Sequence, residues 1–215
     1  MIIQVCGITR PDQIPLFDAM LVHQIAMDFS ADANNNKLVC SIDPEQIDSI
    51  DSDVDFVGVF NNQSLDVILS TAEAYRFTTI QLTGSESPNL CRELQKQHVV
   101  IKTISIDGQQ PEDLIGMIEL YDDVCDYFLV DLDFRAANPA STTRFPWDLL
   151  LDISVEKPFF IGGKGLRASD APSLHQFRHP DFYGVSIHAS FEHASAAGDS
   201  ALIFSFIKAI QQVVN

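Results

Sequence analysis

Positive charge is scarce in this chain of 215 residues, in which 13 lysines and arginines face 30 aspartates and glutamates. The formal net charge of −17 argues against nucleic acid and anionic membrane surfaces as partners, because both are bound mainly through lysine and arginine. An anionic substrate would need the few cations gathered around its site, because net charge sets the far field and not the local one.

Cysteine pairs and long apolar runs are also missing. The four cysteines, Cys6, Cys40, Cys91 and Cys125, form no Cys-x-x-Cys motif, which argues against a zinc ribbon and a disulfide framework. No stretch reaches the roughly 18 apolar residues of a membrane span, and Met1–Cys6 lacks the basic segment of a signal peptide. We therefore expect a cytoplasmic protein, and no residue set with ligand spacing suggests a metal or another cofactor.

The sequence does contain a regular alternation of short apolar runs and longer amphipathic segments. Eight apolar runs have the continuity of strands buried on both faces, as in parallel sheets: Ile2–Cys6, His23–Phe29, Asp55–Phe60, Thr79–Leu82, Val99–Ile104, Tyr127–Val130, Pro158–Ile161 and Tyr183–Ile187. Helical patterns fill the gaps, at Pro11–Ala19, from Asp43 onward, and at Ser64–Ala74, Asn89–Gln97, Glu112–Tyr121, Ser169–Phe177 and Ser200–Val214.

This alternation predicts an α/β fold of one domain over residues 1–215. Eight strands and a length of 215 residues favour a closed (β/α)8 barrel, with parallel strands inside and helices outside. The pattern alone leaves a doubly wound open sheet as an alternative. In a barrel, functional residues lie where the strands end and the following loops begin.

Four segments, taken in order along the chain, carry a resemblance to one family. Val5–Thr9 reads Val-Cys-Gly-Ile-Thr, which resembles Ile/Val-Cys-Gly-Ile/Leu-Thr/Lys/Arg, the opening strand of phosphoribosylanthranilate isomerases. Val57–Asn62 is similar to their Val-Gly-Val-Phe-Val-Asn, and Ile80–Glu86 to their Val-Gln-Leu-His-Gly-x-Glu, with Thr83 in place of histidine. Val100–Ile104 is similar to their Val-Ile-Lys-Ala-Ile. The resemblance covers nearly the whole chain and implies the barrel fold of that family.

The same resemblance implies a chemistry. It is an Amadori rearrangement in tryptophan biosynthesis, which turns an aminoaldose phosphate into an aminoketose. Carried over by position, Cys6 is the general base and Asp131 the general acid. The acid protonates the ribose ring oxygen and opens the ring, and the base removes a proton from the second carbon of the sugar. Asp133, two residues further on, competes with Asp131 for the role of acid.

The candidate substrate-binding residues lie at the predicted strand ends. A turn after the seventh strand, Gly162-Gly163-Lys164-Gly165-Leu166, resembles the family's Ala-Gly-Gly-Leu with one extra residue and an added lysine. Lys37 replaces a family arginine that meets the anthranilate carboxylate, so it keeps the charge without the bidentate fork. The set is Arg10, Lys37, Gln81, Arg144, Gly162, Gly163, Lys164, Gly165 and His188. Its cations fit a small anionic substrate of the sugar-phosphate type.

The phosphate-binding glycines of the family are replaced after the sixth and eighth strands. Gly-Gly-Thr-Gly is absent from residues 135–147, and His188-Ala189-Ser190-Phe191-Glu192 stands in place of Ser-Ser-Gly-Val-Glu. Glycine lets backbone N–H groups approach a phosphate closely, so its loss alters the phosphate site. Two alternatives therefore stay open: a divergent paralogue that acts on another small molecule, and a non-catalytic barrel that binds a metabolite or a protein. Monomer and homodimer are both compatible with the sequence.

Overall fold

The structure, a computed structural model, is a closed barrel of eight parallel strands in chain order. It describes residues 1–8, 10–30, 40, 42–50, 52–105, 111–131, 147–151, 155–163, 166–188 and 200–211. The strands are β1 (Ile2–Ile8), β2 (Gln24–Asp28), β3 (Asp55–Phe60), β4 (Thr79–Leu82), β5 (Val99–Ser105), β6 (Tyr127–Asp131), β7 (Phe159–Gly163) and β8 (Phe182–His188). Because β1 pairs with β8, the sheet has no edge. The predicted barrel is confirmed and the open sheet is excluded.

Helices follow the strands on the outside of the barrel. In the described residues they are α1 (Ile14–Asp18), α2 (Pro44–Asp48), α3 (Leu65–Tyr75), α4 (Pro88–Gln95), α5 (Pro111–Tyr121), α6 (Trp147–Leu151), α7 (Ala171–Gln176) and α8 (Ser200–Gln211). Short 3-10 turns lie at Pro11–Gln13, Asp122–Val124 and Ala168–Asp170. No sequence pattern predicts α6, because its five residues are too few to show a helical period.

Local sequence explains where the helices begin and end. The Ser64 hydroxyl caps α3 by accepting a hydrogen bond from the Val67 N–H at 3.4 Å. Ser87 caps α4 in the same way, with Pro88 at the first helical position, where its missing N–H costs nothing. Arg76 follows the last residue of α3, adopts a left-handed φ of 56° and turns the chain towards β4. Such ends keep the connections short and the helices packed on the barrel.

Two apolar cores hold the barrel together, because alternate strand residues point outward to the helices and inward to the barrel axis. The larger core lies between strands and helices, and the smaller fills the interior with Ala26, Val57, Val59, Ile101, Leu129 and Phe160. None of the helices in the described ranges is long and apolar enough to cross a membrane.

Inward side chains form layers of four, drawn from alternate strands, as expected for a tilted eight-stranded barrel. Following the strand registers from the carboxyl ends inward, the first layer is Asp28, Thr83, Asp131 and His188, the second Cys6, Val59, Thr103 and Gly162, and the third Ala26, Gln81, Leu129 and Ser186. Strands that are four positions apart face each other across the axis. Cys6 on β1 therefore faces Thr103 on β5, and Asp28 on β2 faces Asp131 on β6.

Candidate active site

A cavity of about 270 Å³ opens at the carboxyl ends of the strands, and its walls are drawn from the three outermost layers. The loop residues Ser30 and Asn61 complete its rim. Two carboxylates, those of Asp28 and Asp131, line it, whereas none of the described lining residues is lysine or arginine. Any lysine or arginine that binds an anionic substrate would therefore have to be a residue other than these lining residues.

Cys6 lies near the carboxyl end of β1, in register with His188 of β8. The next residue, Gly7, has a φ of 77°, a left-handed conformation that glycine adopts at no steric cost, and the β1–β2 register shifts at this point. A Cβ on Gly7 would lie only 3.0 Å from the His188 Nε2. Because Gly7 has no side chain, the His188 imidazole can lie against the backbone that follows Cys6. Cys6 itself is half-buried and lines the cavity.

Asp131 ends β6, and its carboxylate lies directly over Gly163 of β7. Gly163 has a φ of 88°, and a Cβ built on it would overlap the Asp131 Oδ1 and Cγ atoms. The space that a side chain would take at this position is thus filled by the carboxylate. Gly163 consequently determines where the Asp131 carboxylate lies in the cavity wall.

A Gly163→Ala substitution should displace the Asp131 carboxylate and strain the backbone. We expect a loss of about 1–3 kcal/mol in the free energy of unfolding from the positive φ. We also expect a fall of about a hundredfold in kcat/KM, because a displacement of about 1 Å from a productive geometry has that effect. Urea unfolding and steady-state kinetics measure the two effects.

Gly116→Ala is the matched control, since Gly116 lies within α5 and a Cβ there has no neighbour within 4 Å in the described structure. This change should raise the free energy of unfolding by about 0.5–1 kcal/mol and leave kcat/KM unchanged. A Gly163→Ala enzyme with wild-type kcat/KM would show that the Asp131 carboxylate does not need this position.

Two buried side chains in the cavity wall carry an oxygen that has no hydrogen-bond partner among the described residues, namely the Gln81 Oε1 and the Thr103 Oγ1. Gln81 is 4% exposed and Thr103 is 7% exposed. Leaving such a group unpaired costs about 1–3 kcal/mol. By contrast, the Ser186 hydroxyl donates to the Gln4 Oε1 at 2.6 Å, and the Thr83 hydroxyl donates to the Phe60 carbonyl at 3.0 Å.

The loops after β2 and β3 are tied together at the cavity rim. The Asp28 Oδ1 accepts a hydrogen bond from the Ser30 N–H at 2.8 Å, which closes a tight turn after β2. The Gln63 side chain accepts from the Asn61 N–H at 2.5 Å and donates to the Phe29 carbonyl at 2.9 Å. These bonds fix the backbone next to the cavity-lining residues Asp28, Ser30 and Asn61.

A buried ion pair holds the loop after β4. The Lys102 Nζ lies 2.8 Å from the Glu86 Oε2, and these side chains are 1% and 0% exposed. Lys102 also donates to the Gly84 carbonyl at 2.5 Å, and the Glu86 Oε1 accepts from the N–H groups of Asn62 at 2.8 Å and Gly84 at 3.1 Å. The Tyr121 hydroxyl donates to the Glu86 carbonyl at 2.7 Å. Lys102 points outward from β5, so the ion pair lies on the side of the strand that faces away from the cavity and supports the cavity wall there.

The structure brings five of the predicted site residues into one cavity: Cys6, Gln81, Asp131, Gly163 and His188. Gly162 lies next to them in β7, against the backbone of Ser186. Arg10 is not among the lining residues, and its Nε lies 3.3 Å from the exposed Asp12 carboxylate. The remaining predicted residues lie outside the described ranges: Lys37, Arg144, Lys164, Gly165 and the competing acid Asp133.

Three polar residues within the strands, Asp28, Thr103 and Ser186, also line the cavity and were not predicted as site residues. No motif marks them, but the alternation of strand side chains could have found them. Thr103 follows the buried Ile101 by two residues and therefore shares its inward face, and Asp28 follows Ala26 in the same way. The alternation alone does not show which of the two alternating sets of side chains in a strand faces the barrel axis.

Comparisons of the sequence with known proteins give a consistent result. A sequence profile of the family described as N-(5'phosphoribosyl)anthranilate (PRA) isomerase matches residues 3–209. The N-(5'-phosphoribosyl)anthranilate isomerase of Parabacteroides distasonis is 32% identical over 211 residues, which cover 98% of this chain and 93% of the relative. That of Phocaeicola vulgatus is 31% identical over 215 residues and covers 100% of both chains.

Solved structures agree on the fold. The phosphoribosyl anthranilate isomerase of Thermotoga maritima superimposes with a TM-score of 0.76 at 23% identity, over 98% of this chain and 99% of that one. A phosphoribosyl anthranilate isomerase in complex with reduced 1-(o-carboxyphenylamino)-1-deoxyribulose 5-phosphate gives a TM-score of 0.74 at 22% identity, over 98% and 99% of the two chains. At identities of 22% and 23%, these superpositions support a shared barrel fold only.

Proposed function

The chain belongs to the N-(5'-phosphoribosyl)anthranilate isomerase family of tryptophan biosynthesis, and we propose that it isomerises N-(5'-phosphoribosyl)anthranilate with Cys6 as base and Asp131 as acid. The product is the aminoketose 1-(o-carboxyphenylamino)-1-deoxyribulose 5-phosphate. One observation carries the proposal: Cys6 and Asp131 come from β1 and β6 and line the same cavity at the carboxyl ends of the strands.

The first step is the opening of the sugar ring. Asp131 donates its proton to the ribose ring oxygen, the bond from that oxygen to C1 breaks, and the nitrogen lone pair forms a C1–N double bond. The electron-poor double bond makes the proton on C2 acidic. The position of the Asp131 carboxylate over Gly163 supports this role, because the acid is held in the cavity wall and not in open solvent.

The second step is the removal of the C2 proton. The Cys6 thiolate takes it, and the electron pair of the C–H bond forms a C1–C2 double bond while the nitrogen becomes neutral. The resulting enol then becomes the ketone at C2: its hydroxyl proton passes to solvent, C1 takes a proton from the Cys6 thiol, and Asp131 regains its proton from solvent. An acid and a base that reach the sugar from different strands suit this sequence of transfers.

The anionic groups of the substrate would meet cations from the loops. Lys37, Arg144 and Lys164 are the proposed partners of the phosphate and carboxylate, because the described lining of the cavity supplies carboxylates and neutral polar groups only. We also propose a cytoplasmic location, since no disulfide joins the four cysteines, all of which lie in the described residues, and this suits a reducing compartment.

The direct test is turnover of freshly generated N-(5'-phosphoribosyl)anthranilate, followed by the loss of its fluorescence. An Asp131→Asn substitution keeps the size of the side chain and removes the proton donor, so kcat/KM should fall by a factor of about 10²–10⁴. Asp133→Asn serves as the comparison and should retain most activity. The opposite pattern would transfer the role of acid to Asp133, and equal activity in all three proteins would remove both from the mechanism.

The cavity also provides an observation in favour of a paralogue. Its two carboxylates, with no described lysine or arginine in the lining, suit a neutral polyhydroxy ligand as well as the sugar portion of a phosphate ester. Assaying the ribosyl anthranilate without its phosphate beside the phosphorylated substrate separates the two. Faster turnover of the unphosphorylated compound would support the paralogue and oppose the proposed function.

A further inference from the structure

Gln81 and Thr103 are two cavity side chains, each more than nine-tenths buried, whose oxygens have no hydrogen-bond partner among the described residues. They lie on the neighbouring strands β4 and β5, in successive layers, with Thr103 nearer the cavity mouth. Elsewhere in the same walls, the hydroxyls of Ser186 and Thr83 donate to protein oxygens. Buried polar groups are normally paired in folded proteins, so two adjacent exceptions that face one cavity indicate a ligand group at that place.

The position of Thr103 relates it to the proposed base. Thr103 on β5 and Cys6 on β1 belong to one layer and face each other across the barrel axis. A substrate carbon whose C–H bond points to Cys6 directs its other substituents away from Cys6, because bonds at a tetrahedral carbon diverge. On C2 of the sugar, the hydroxyl is one of these three substituents, and the wall opposite Cys6 contains Thr103 and Gln81.

The chemistry of the two oxygens matches a hydroxyl group. An amide oxygen only accepts hydrogen bonds, so the ligand group next to the Gln81 Oε1 must be a donor. A threonine hydroxyl both donates and accepts, so it can donate to the oxygen of that same group. A sugar hydroxyl fulfils both conditions, whereas a phosphate or a carboxylate would place an acceptor against the Gln81 oxygen.

We propose that Thr103 and Gln81 bind the C2 hydroxyl of the substrate and thereby direct its C2–H bond towards Cys6. This rests on the proposed function. Thr103 donates a hydrogen bond to the oxygen of this hydroxyl, and the Gln81 Oε1 accepts a hydrogen bond from its O–H group.

The test compares Thr103→Val with Thr103→Ser. Valine keeps the shape and removes the hydroxyl, so kcat/KM for N-(5'-phosphoribosyl)anthranilate should fall on the order of tenfold, the effect of one lost hydrogen bond. The melting temperature of the ligand-free protein should stay the same or rise, because an unpaired buried hydroxyl has been removed. Serine keeps the hydroxyl and should retain kcat/KM within about threefold.

A matched control makes the same change outside the cavity. Thr79 is a 9% exposed threonine of β4 that does not line the cavity, and Thr79→Val should leave kcat/KM within about twofold. In addition, the Gln81→Leu and Thr103→Val substitutions should be non-additive. Once one of them has released the C2 hydroxyl, the other should have a smaller effect than it has alone.

The outcomes separate this inference from the function on which it rests. Wild-type protein without turnover would overturn both. Active wild-type protein with an equally active Thr103→Val variant would overturn the inference alone. A Thr103→Val variant that loses activity together with several degrees of melting temperature would make Thr103 structural and would also overturn it. Lost activity at an unchanged or raised melting temperature, with retention in Thr103→Ser, supports it.

Discussion

Replacing Cys6 with alanine should lower kcat/KM for N-(5'-phosphoribosyl)anthranilate by a factor of about 10²–10⁴, the usual contribution of a positioned general base. The thiol is the group proposed to remove the C2 proton, and alanine has no atom that can accept it. Cys6 is only half-buried, so the protein should remain folded with a nearly unchanged melting temperature. Steady-state kinetics and circular dichroism on the same sample measure both effects.

Cys125→Ala is the matched control, because Cys125 is a fully buried thiol outside the cavity. It should reduce the stability through the cavity that it leaves and keep kcat/KM close to the wild-type value. If Cys6→Ala and Cys125→Ala had the same kcat/KM, Cys6 would have no role in proton transfer.

Selective alkylation gives a second measurement on Cys6. Burial raises the pKa of the Cys40 and Cys91 thiols, and it raises the pKa of Cys125 to about 12. A raised thiol pKa means that the protonated, unreactive form persists to higher pH, so these thiols stay protonated at pH 8. Iodoacetamide should therefore modify the folded protein at Cys6 first. Mass spectrometry of the labelled peptide and the residual activity should change in parallel.

Replacing Lys102 with methionine should lower the free energy of unfolding by about 3–5 kcal/mol, because it leaves a buried carboxylate without its counter-charge. Lys102 and Glu86 are 1% and 0% exposed, so water does not replace the lost partner. The Glu86 Oε1 keeps its two backbone N–H donors, whereas the Oε2 loses the ammonium group. Urea unfolding followed by tryptophan fluorescence measures the change.

The exposed pair Lys96–Glu93 provides the control with the same substitution. Its nitrogen and oxygen lie 2.5 Å apart and the side chains are 60% and 50% exposed, so Lys96→Met should cost less than about 1 kcal/mol. The double variant Lys102→Met with Glu86→Leu should recover part of the loss, since no buried charge remains. Equal costs for Lys102→Met and Lys96→Met would mean that the buried pair contributes nothing beyond an exposed one.

The strands could be predicted because the barrel buries them on both faces. Asp55–Phe60 and Thr79–Leu82 have the same bounds in the sequence pattern and in the structure. Continuous apolar runs reveal such strands, but they do not tell which side chains face the axis. Lys102 shows the consequence, because it belongs to a predicted strand while its partner, Glu86, lies 16 residues away in the preceding loop.

The candidate site could be predicted only where a motif carried it. Cys6 and Asp131 followed from the family resemblance, and the structure places both in one cavity, although their catalytic roles stay predictions. Thr103 was not identified as a site residue. Its proposed role depends on its position opposite Cys6 across the barrel axis, and the sequence does not specify the strand register that creates this position. The positive φ of Gly163 is equally invisible in the sequence, since a glycine-rich turn is compatible with many backbone conformations.

The closure of β1 on β8 makes activity depend on the pairing of the first strand of the barrel with the last. Cys6 is in register with His188, and the Ser186–Gln4 hydrogen bond joins residues that are 182 positions apart. Contacts with such a sequence separation form late in folding, because a long loop must be closed before they contribute. During synthesis, the ribosome releases β8 only after the other seven strands, so until β8 has emerged a nascent chain carries Cys6 without the neighbour that completes the site.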